Sequence, residues 1–68
     1  MSVHLIHVAG LEPGDVVTMP RYGRVPVLRT ERAGDGLTRV VFLGTQACVT
    51  RGLVLPDEAR VELHERPS

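Results

Sequence analysis

The serines, the histidines and the single cysteine decide which chemistry is open to this chain of 68 residues. The two serines, Ser2 and Ser68, stand at the two ends, and Cys48 has no histidine near it in sequence. Nucleophilic catalysis needs a nucleophile held beside a base, and the sequence offers no such arrangement. A free cysteine in a β-rich segment is more often a buried structural thiol. We therefore expect no enzymatic activity and no catalytic residues.

The histidines and acids do not form a metal-binding motif. His4 and His7 are three residues apart, a spacing that places them on opposite faces of a strand. His64 would approach His4 if the first and last strands pair, but no cysteine or carboxylate stands at ligand spacing. The adjacent acids Asp57 and Glu58 suit the start of a helical turn. Because no glycine-rich phosphate loop is present either, we expect no metal ion and no cofactor.

The composition is that of one small folded domain, 1–68. Hydrophobic residues make up 43% of the chain and charged residues 24%, and eight basic residues, all Arg, balance eight acids. This profile is typical of a globular protein, whereas dedicated polyanion binders carry a basic excess. A core of this size barely offsets the conformational entropy lost on folding, which favours support from a partner surface.

The expected compartment follows from the cysteine count and the absence of apolar runs. One cysteine cannot form an internal disulfide, and no apolar run approaches the length of a membrane span. The amino terminus lacks the pattern of a signal peptide. The absence of Lys, Asn and Trp is typical of a GC-rich genome. We expect a cytoplasmic protein, or a bacteriophage accessory or structural protein in a virion assembled in the host cytoplasm, with no membrane partner.

β-Branched residues alternate with turn residues along the chain. The sequence contains 11 Val, one Ile and five Thr, interrupted by seven Gly and five Pro. Short β-rich runs between turn signals predict an all-β protein, and the chain is too short for a sandwich. Strands are predicted at 3–8, 16–19, 24–32, 37–43, 47–50 and 61–65. The strand at 47–50 continues at 53–55, beyond a turn or bulge at 51–52. One helical turn is predicted at 56–60.

Three turn residues have specific structural roles. The turn at Pro13-Gly14 predicts a positive φ for Gly14, and Asp35-Gly36 predicts a tight hairpin. Pro26 cannot donate to a ladder, which predicts an edge or a bulge at that point. The strand at 37–43 is apolar on both faces and is therefore predicted to be the central, most buried one.

This order of elements is similar to that of small Src-homology-3-type β-barrels. The stretch 11–17, Leu-Glu-Pro-Gly-Asp-Val-Val, followed by Gly23 and by Val-Pro-Val at 25–27, resembles the opening of KOW-type domains. The stretch 55–61 resembles the helical turn and final strand of such barrels. The resemblance implies a partly open antiparallel barrel of five or six strands. The chain departs from nucleic-acid-binding KOW domains in its fewer basic residues. It departs from peptide-binding Src-homology-3 domains in having only Tyr22 and Phe42 as aromatic residues.

The charges are unevenly distributed along the chain. Residues 21–51 hold six Arg against two acids, whereas both ends are acidic. Arginine binds phosphate and carboxylate groups bidentately, so this segment is either an anion-binding face or ordinary surface charge. The alternative function is therefore a small nucleic-acid-binding barrel, with binding that is weak at most. Its contacts would come from the central set Arg21, Arg24, Arg29, Arg32 and Arg39.

The first strand supports the favoured function, a non-catalytic assembly or docking module. Val3 and Leu5 lie on one of its faces, and Ile6 and Val8 lie on the other. One face can serve the core, and the other requires cover from a second chain or from the protein's own loops. We expect Val3, Leu5, Ile6 and Val8 to contact a protein partner, either another copy in a homo-oligomer or a larger assembly.

Overall fold

The computed structural model describes residues 4–44 and 49–67, which form a six-stranded antiparallel sheet. The strands are β1 (His4–His7), β2 (Val16–Met19), β3 (Gly23–Gly34), β4 (Leu37–Leu43), β5 (Thr50–Pro56) and β6 (Arg60–Glu65). Their spatial order is β1-β6-β2-β3-β4-β5, and the sheet does not close. This confirms the predicted all-β class, and the architecture is compatible with a small β-barrel-like fold.

Strand β3 joins the two halves of the sheet. Its first four residues, Gly23 to Pro26, pair with β2, and the remainder from Val27 onward pairs with β4. The Val27 N–H donates to the Asp15 carbonyl at 2.7 Å, so by alternation the Pro26 nitrogen faces away from β2. The β4 ladder begins only at Val27, and a bulge follows between Val27 and Arg29. Pro26 therefore lies beside a bulge, where its missing N–H breaks no ladder bond, and not on an edge strand.

The core lies between the two halves of the bent sheet. Phe42 and Met19 are its largest fully buried side chains, and Phe42 packs edge-on against Tyr22 with ring centroids 5.0 Å apart. Val40 and Val41 are also buried, so β4 is as apolar as the sequence indicated. Its predicted central position is wrong, however, because β4 lies next to the edge strand β5, and β2 and β3 occupy the centre. The core consists of Val8, Leu11, Val17, Met19, Val25, Val27, Val40, Phe42 and Val61.

Two local predictions differ from the structure in detail. Before β6 the chain makes one tight turn, in which the Ala59 N–H donates to the Pro56 carbonyl at 3.0 Å. The 3₁₀ helix of the described residues lies instead at Val8–Gly10, directly after β1. No break occurs at Arg51-Gly52, because both residues pair with β4 in a continuous β5. Residues 47–48 of the predicted strand at 47–50, Cys48 among them, lie outside the described residues.

Candidate functional site

The most buried charged group in the described residues is the carboxylate of Asp15, which has 0% solvent exposure. It follows the Pro13-Gly14 turn, where Gly14 has the expected positive φ of 94°. The Glu12 backbone N–H donates to Asp15 Oδ2 at 2.8 Å. Arg66 donates from Nε to Oδ1 at 3.0 Å and from Nη2 to Oδ2 at 2.8 Å. This bidentate geometry satisfies a carboxylate that burial alone would strongly penalise.

Arg66 also ties the segment after β6 to the loop before β2. Its Nη2 donates to the Gly10 carbonyl at 3.2 Å, and its Nη1 lies 3.4 Å from Glu12 Oε2. The sequence pattern predicts only a tail at 66–68 and does not indicate this contact. A lone arginine after a final strand is too common a feature to signal a partner 51 positions away. The arrangement is a structural clamp, with every acceptor oxygen of Asp15 engaged by its own chain.

The clamp predicts a specific acid sensitivity. The hydrogen bonds from Arg66 hold the pKa of Asp15 below its ordinary value of 3.8, against the opposing effect of burial. Because the pKa of Asp15 is lower in the folded protein than in the unfolded chain, its ionised carboxylate stabilises the fold at every pH above the unfolded-state pKa. This stabilisation is lost as the pH falls through the folded-state pKa. We expect the free energy of unfolding to decline below about pH 4 to 5.

Denaturant titrations across this range measure the decline. The difference in stability between the parent and Asp15→Ala should shrink as the buffer becomes more acidic. A difference that stays constant down to the acid limit of folding would contradict the role of the Asp15 carboxylate.

A second polar cluster surrounds His64 on the outer face of the sheet, the face opposite the core. Arg24 Nη2 donates to His64 Nδ1 at 3.3 Å, and the other ring nitrogen, Nε2, faces two further polar groups. That nitrogen lies 2.6 Å from Thr18 Oγ1 and 3.7 Å from Glu62 Oε2. The terminal strands do pair, but His4 lies opposite Leu63, so His4 and His64 point to opposite faces. Among the described residues, no group of three or more potential ligands is placed to hold a metal ion.

The five arginines of the predicted anion-binding set do not form one uninterrupted basic surface. Arg24 is engaged by His64, and Arg21 lies at the tip of the turn between β2 and β3 with a φ of 70°. Arg32 lies on the opposite face of β3 from Arg29 and Arg39, because Arg32 pairs with the core-facing Thr38.

Acids accompany the arginines on β3. Arg29 Nε lies 3.8 Å from Glu31 Oε1, and Arg32 Nη1 lies 3.7 Å from Asp57 Oδ2. Glu31 also pairs directly with Arg39 across the ladder between β3 and β4. This interspersion reduces the net positive field that a nucleic-acid surface requires.

The apolar residues predicted to bind a partner have different environments. Val8 is fully buried in the chain's own core, and Ile6 is half-buried against it, so these two side chains do not form a free surface. The expectation that their face needs cover from a second chain is corrected here, because β1 turns that face toward the core. Leu5, on the other face, is 50% exposed at the sheet edge. Val3 lies outside the described residues.

The accessible backbone of the sheet lies at its two edges. Within the described residues β1 pairs with β6 alone, and β5 pairs with β4 alone. At one end of β5 the Asp57 N–H donates to the Gly36 carbonyl at 2.9 Å, and beyond its other end the Gly44 N–H donates to the Val49 carbonyl at 2.8 Å. Both bonds fix the same alternation, in which the backbone groups of odd-numbered residues face β4. The N–H and C=O groups of Thr50, Gly52 and Val54 therefore point outward.

Exposed apolar side chains lie beside this edge. Val54 is 43% exposed on the outer face, and Leu37 on the neighbouring strand is also exposed. An outward row of backbone donors and acceptors beside apolar side chains is a template for pairing with another strand.

No protein-family model, no curated protein and no solved structure matches this chain. The described part of the chain contains no helix that is both long and apolar enough to cross a membrane.

Proposed function

We propose that this chain is a non-catalytic assembly or docking module, which binds protein through a free edge of its sheet. The observation that carries the proposal is the open order of the strands, with β1 and β5 each paired on one side only in the described residues. The outward backbone of Thr50, Gly52 and Val54 gives β5 the groups that strand addition uses. The partner is another copy or a larger protein assembly, such as a bacteriophage particle.

The polar clusters support a structural and not a catalytic role. Asp15 is saturated by Arg66 and Glu12, and Thr38 Oγ1 donates to Asp57 Oδ1 at 2.6 Å. Within residues 4–44 and 49–67, every buried side-chain nitrogen and oxygen has a hydrogen-bond partner. These groups are used to hold loops together. As part of this proposal we retain the resemblance to small Src-homology-3-type barrels with a KOW-like opening.

Sedimentation velocity of the purified chain tests the proposal. We expect the weight-average sedimentation coefficient to rise with protein concentration, or the chain to co-sediment with the product of a gene next to its own. A chain that stays monomeric at every concentration and co-sediments with none of those products would overturn the proposed function.

The interspersed charges predict only weak binding to nucleic acid. We expect a Kd for duplex DNA no tighter than about 10⁻⁵ M at physiological salt, as for non-specific contacts. Replacing Arg21, Arg24 and Arg29 with Gln should flatten the dependence of log K on log salt, by roughly 0.9 for each phosphate that the chain then no longer neutralises. Fluorescence anisotropy with labelled DNA measures both quantities. A sequence-selective Kd below about 10⁻⁶ M would favour the nucleic-acid-binding alternative instead.

A further inference from the structure

We infer that the partner strand of β5 is the β5 strand of a second copy of this chain, paired antiparallel about a two-fold axis at Leu53. The inference rests on the proposed assembly function and deepens it by naming the edge, the occupant and the register. Two identical edges related by a two-fold axis run antiparallel by symmetry, which is the arrangement already used throughout this sheet.

The two edges differ in how well they are suited to pairing. Strand β1 has four residues and carries His4 and His7, whereas β5 has seven residues and carries Arg51 as its only charge. Short strands and polar side chains are the usual protection of an edge against another chain. A zero net charge also leaves no overall repulsion between two copies. The less protected edge is therefore β5.

The hydrogen-bonding alternation restricts the register. Outward-pointing residues must face one another, so even-numbered positions of β5 pair with even-numbered positions of the copy. With the axis at Leu53, Gly52 lies opposite Val54 of the second copy, and the reverse pair is equivalent. Each pair exchanges two backbone hydrogen bonds, which gives four in total. Pro56 falls at the end of the ladder, so its missing N–H removes no hydrogen bond from the two central pairs. Its carbonyl is already bonded to the Ala59 N–H.

The charges favour this register over the one with its axis at Gly52. With the axis at Leu53, Arg51 faces Leu55 of the second copy, and Asp57 of that copy is two positions further along. The opposite charges are thus diagonal neighbours, and the two Arg51 side chains are four positions apart. Shifting the axis to Gly52 would instead make the two Arg51 side chains diagonal neighbours, which is unfavourable for like charges.

Gly52 provides a separate argument. A Cβ atom built on Gly52 would lie 3.5 Å from the Arg39 Cδ atom, an ordinary contact, and its φ is not in the left-handed region. The packing of one copy therefore does not require glycine at this position. A glycine inside a strand commonly marks the close approach of another chain. In the inferred pairing it is covered by Val54 of the second copy, an exposed apolar side chain on the same face.

Cross-linking tests the register directly. Opposed residues at a non-hydrogen-bonded position have Cα atoms about 4.5 Å apart, which suits a disulfide. Leu53→Cys, made together with Cys48→Ser, should therefore give a disulfide-linked dimer under mild oxidation. Leu55→Cys in the same background is the matched control, because both leucines are half-buried on one face of β5. In the inferred dimer the Cα atoms of position 55 in the two copies would be about 14 Å apart, beyond disulfide reach.

Proline substitution at each edge tests which strand pairs. Val54→Pro removes an outward N–H and leaves the β4 ladder intact, and we expect the dimer Kd to rise roughly 10- to 100-fold because symmetry removes two donors. Leu5→Pro is the control on β1, since the Val8 N–H faces Ala59 and the Leu5 N–H therefore points outward. It should leave the Kd unchanged. Circular dichroism establishes that both variants are folded.

The outcomes separate this inference from the proposed function. Association weakened by Leu5→Pro and not by Val54→Pro, or a Leu53→Cys variant that does not cross-link, would overturn the β5 pairing and leave an assembly module. A chain that never self-associates but binds a neighbouring gene product would also overturn the β5 pairing and leave the assembly function standing. A chain that binds neither itself nor any such product would overturn both.

Discussion

Replacing Asp15 with Ala should destabilise the domain by about 3 kcal/mol. Removing one partner of a buried ion pair costs about 3–5 kcal/mol when the charge left behind is buried. The Arg66 side chain left behind here is 37% exposed and regains water, so we expect the bottom of that range. The substitution also removes the acceptor of the Glu12 N–H. For a domain of this size the melting temperature should fall by roughly 12–24 °C, measured by circular dichroism at neutral pH.

Asp35→Ala is the matched control for this prediction. Asp35 is an exposed acid in the hairpin between β3 and β4, so its removal should leave the melting temperature nearly unchanged. Arg66→Ala should lower it further than Asp15→Ala, because it leaves a buried carboxylate without its charged partner. The double variant should be less destabilised than the sum of the two, as residues that act as a pair are not additive. Additive effects would contradict the clamp.

The second large effect is expected at Gly14, next to the same clamp. Its φ of 94° is unfavourable for any residue with a Cβ atom, and a Cβ there would lie 2.8 Å from Pro67 Cγ. Gly14→Val therefore combines backbone strain with displacement of the segment that carries Arg66. We expect a loss of about 3 kcal/mol in the free energy of unfolding, measured by urea titration.

Gly23→Val separates the two causes. Gly23 has a φ of 78°, but a Cβ there meets no atom within 4 Å, so only the backbone strain remains. Its cost should be about 1–2 kcal/mol. In the Gly14→Val background, Pro67→Ala should restore part of the stability by removing the clashing ring atom. Equal losses at Gly14 and Gly23, with no restoration, would show that contact with Pro67 is unimportant.

Local sequence signals identified most of the strands of this protein. The alternation of β-branched and turn residues placed β2 and β4 at their observed bounds and β3 within two residues of them. The positive φ of Gly14 followed from turn chemistry alone, because a Pro-Gly turn needs one residue without a Cβ atom. These features depend on interactions within a few residues, and a sequence displays them directly.

Features that depend on distant parts of the chain required the tertiary structure. Asp15 and Arg66 are 51 positions apart, and nothing in the local sequence around either residue encodes the other. The apolar residues on both faces of the first strand left open which face is buried. That choice depends on how β1 pairs with β6 and places Val8 in the core. The edge position of β5 likewise follows from strand order, which is set by the packing of the whole sheet and not by the composition of any strand.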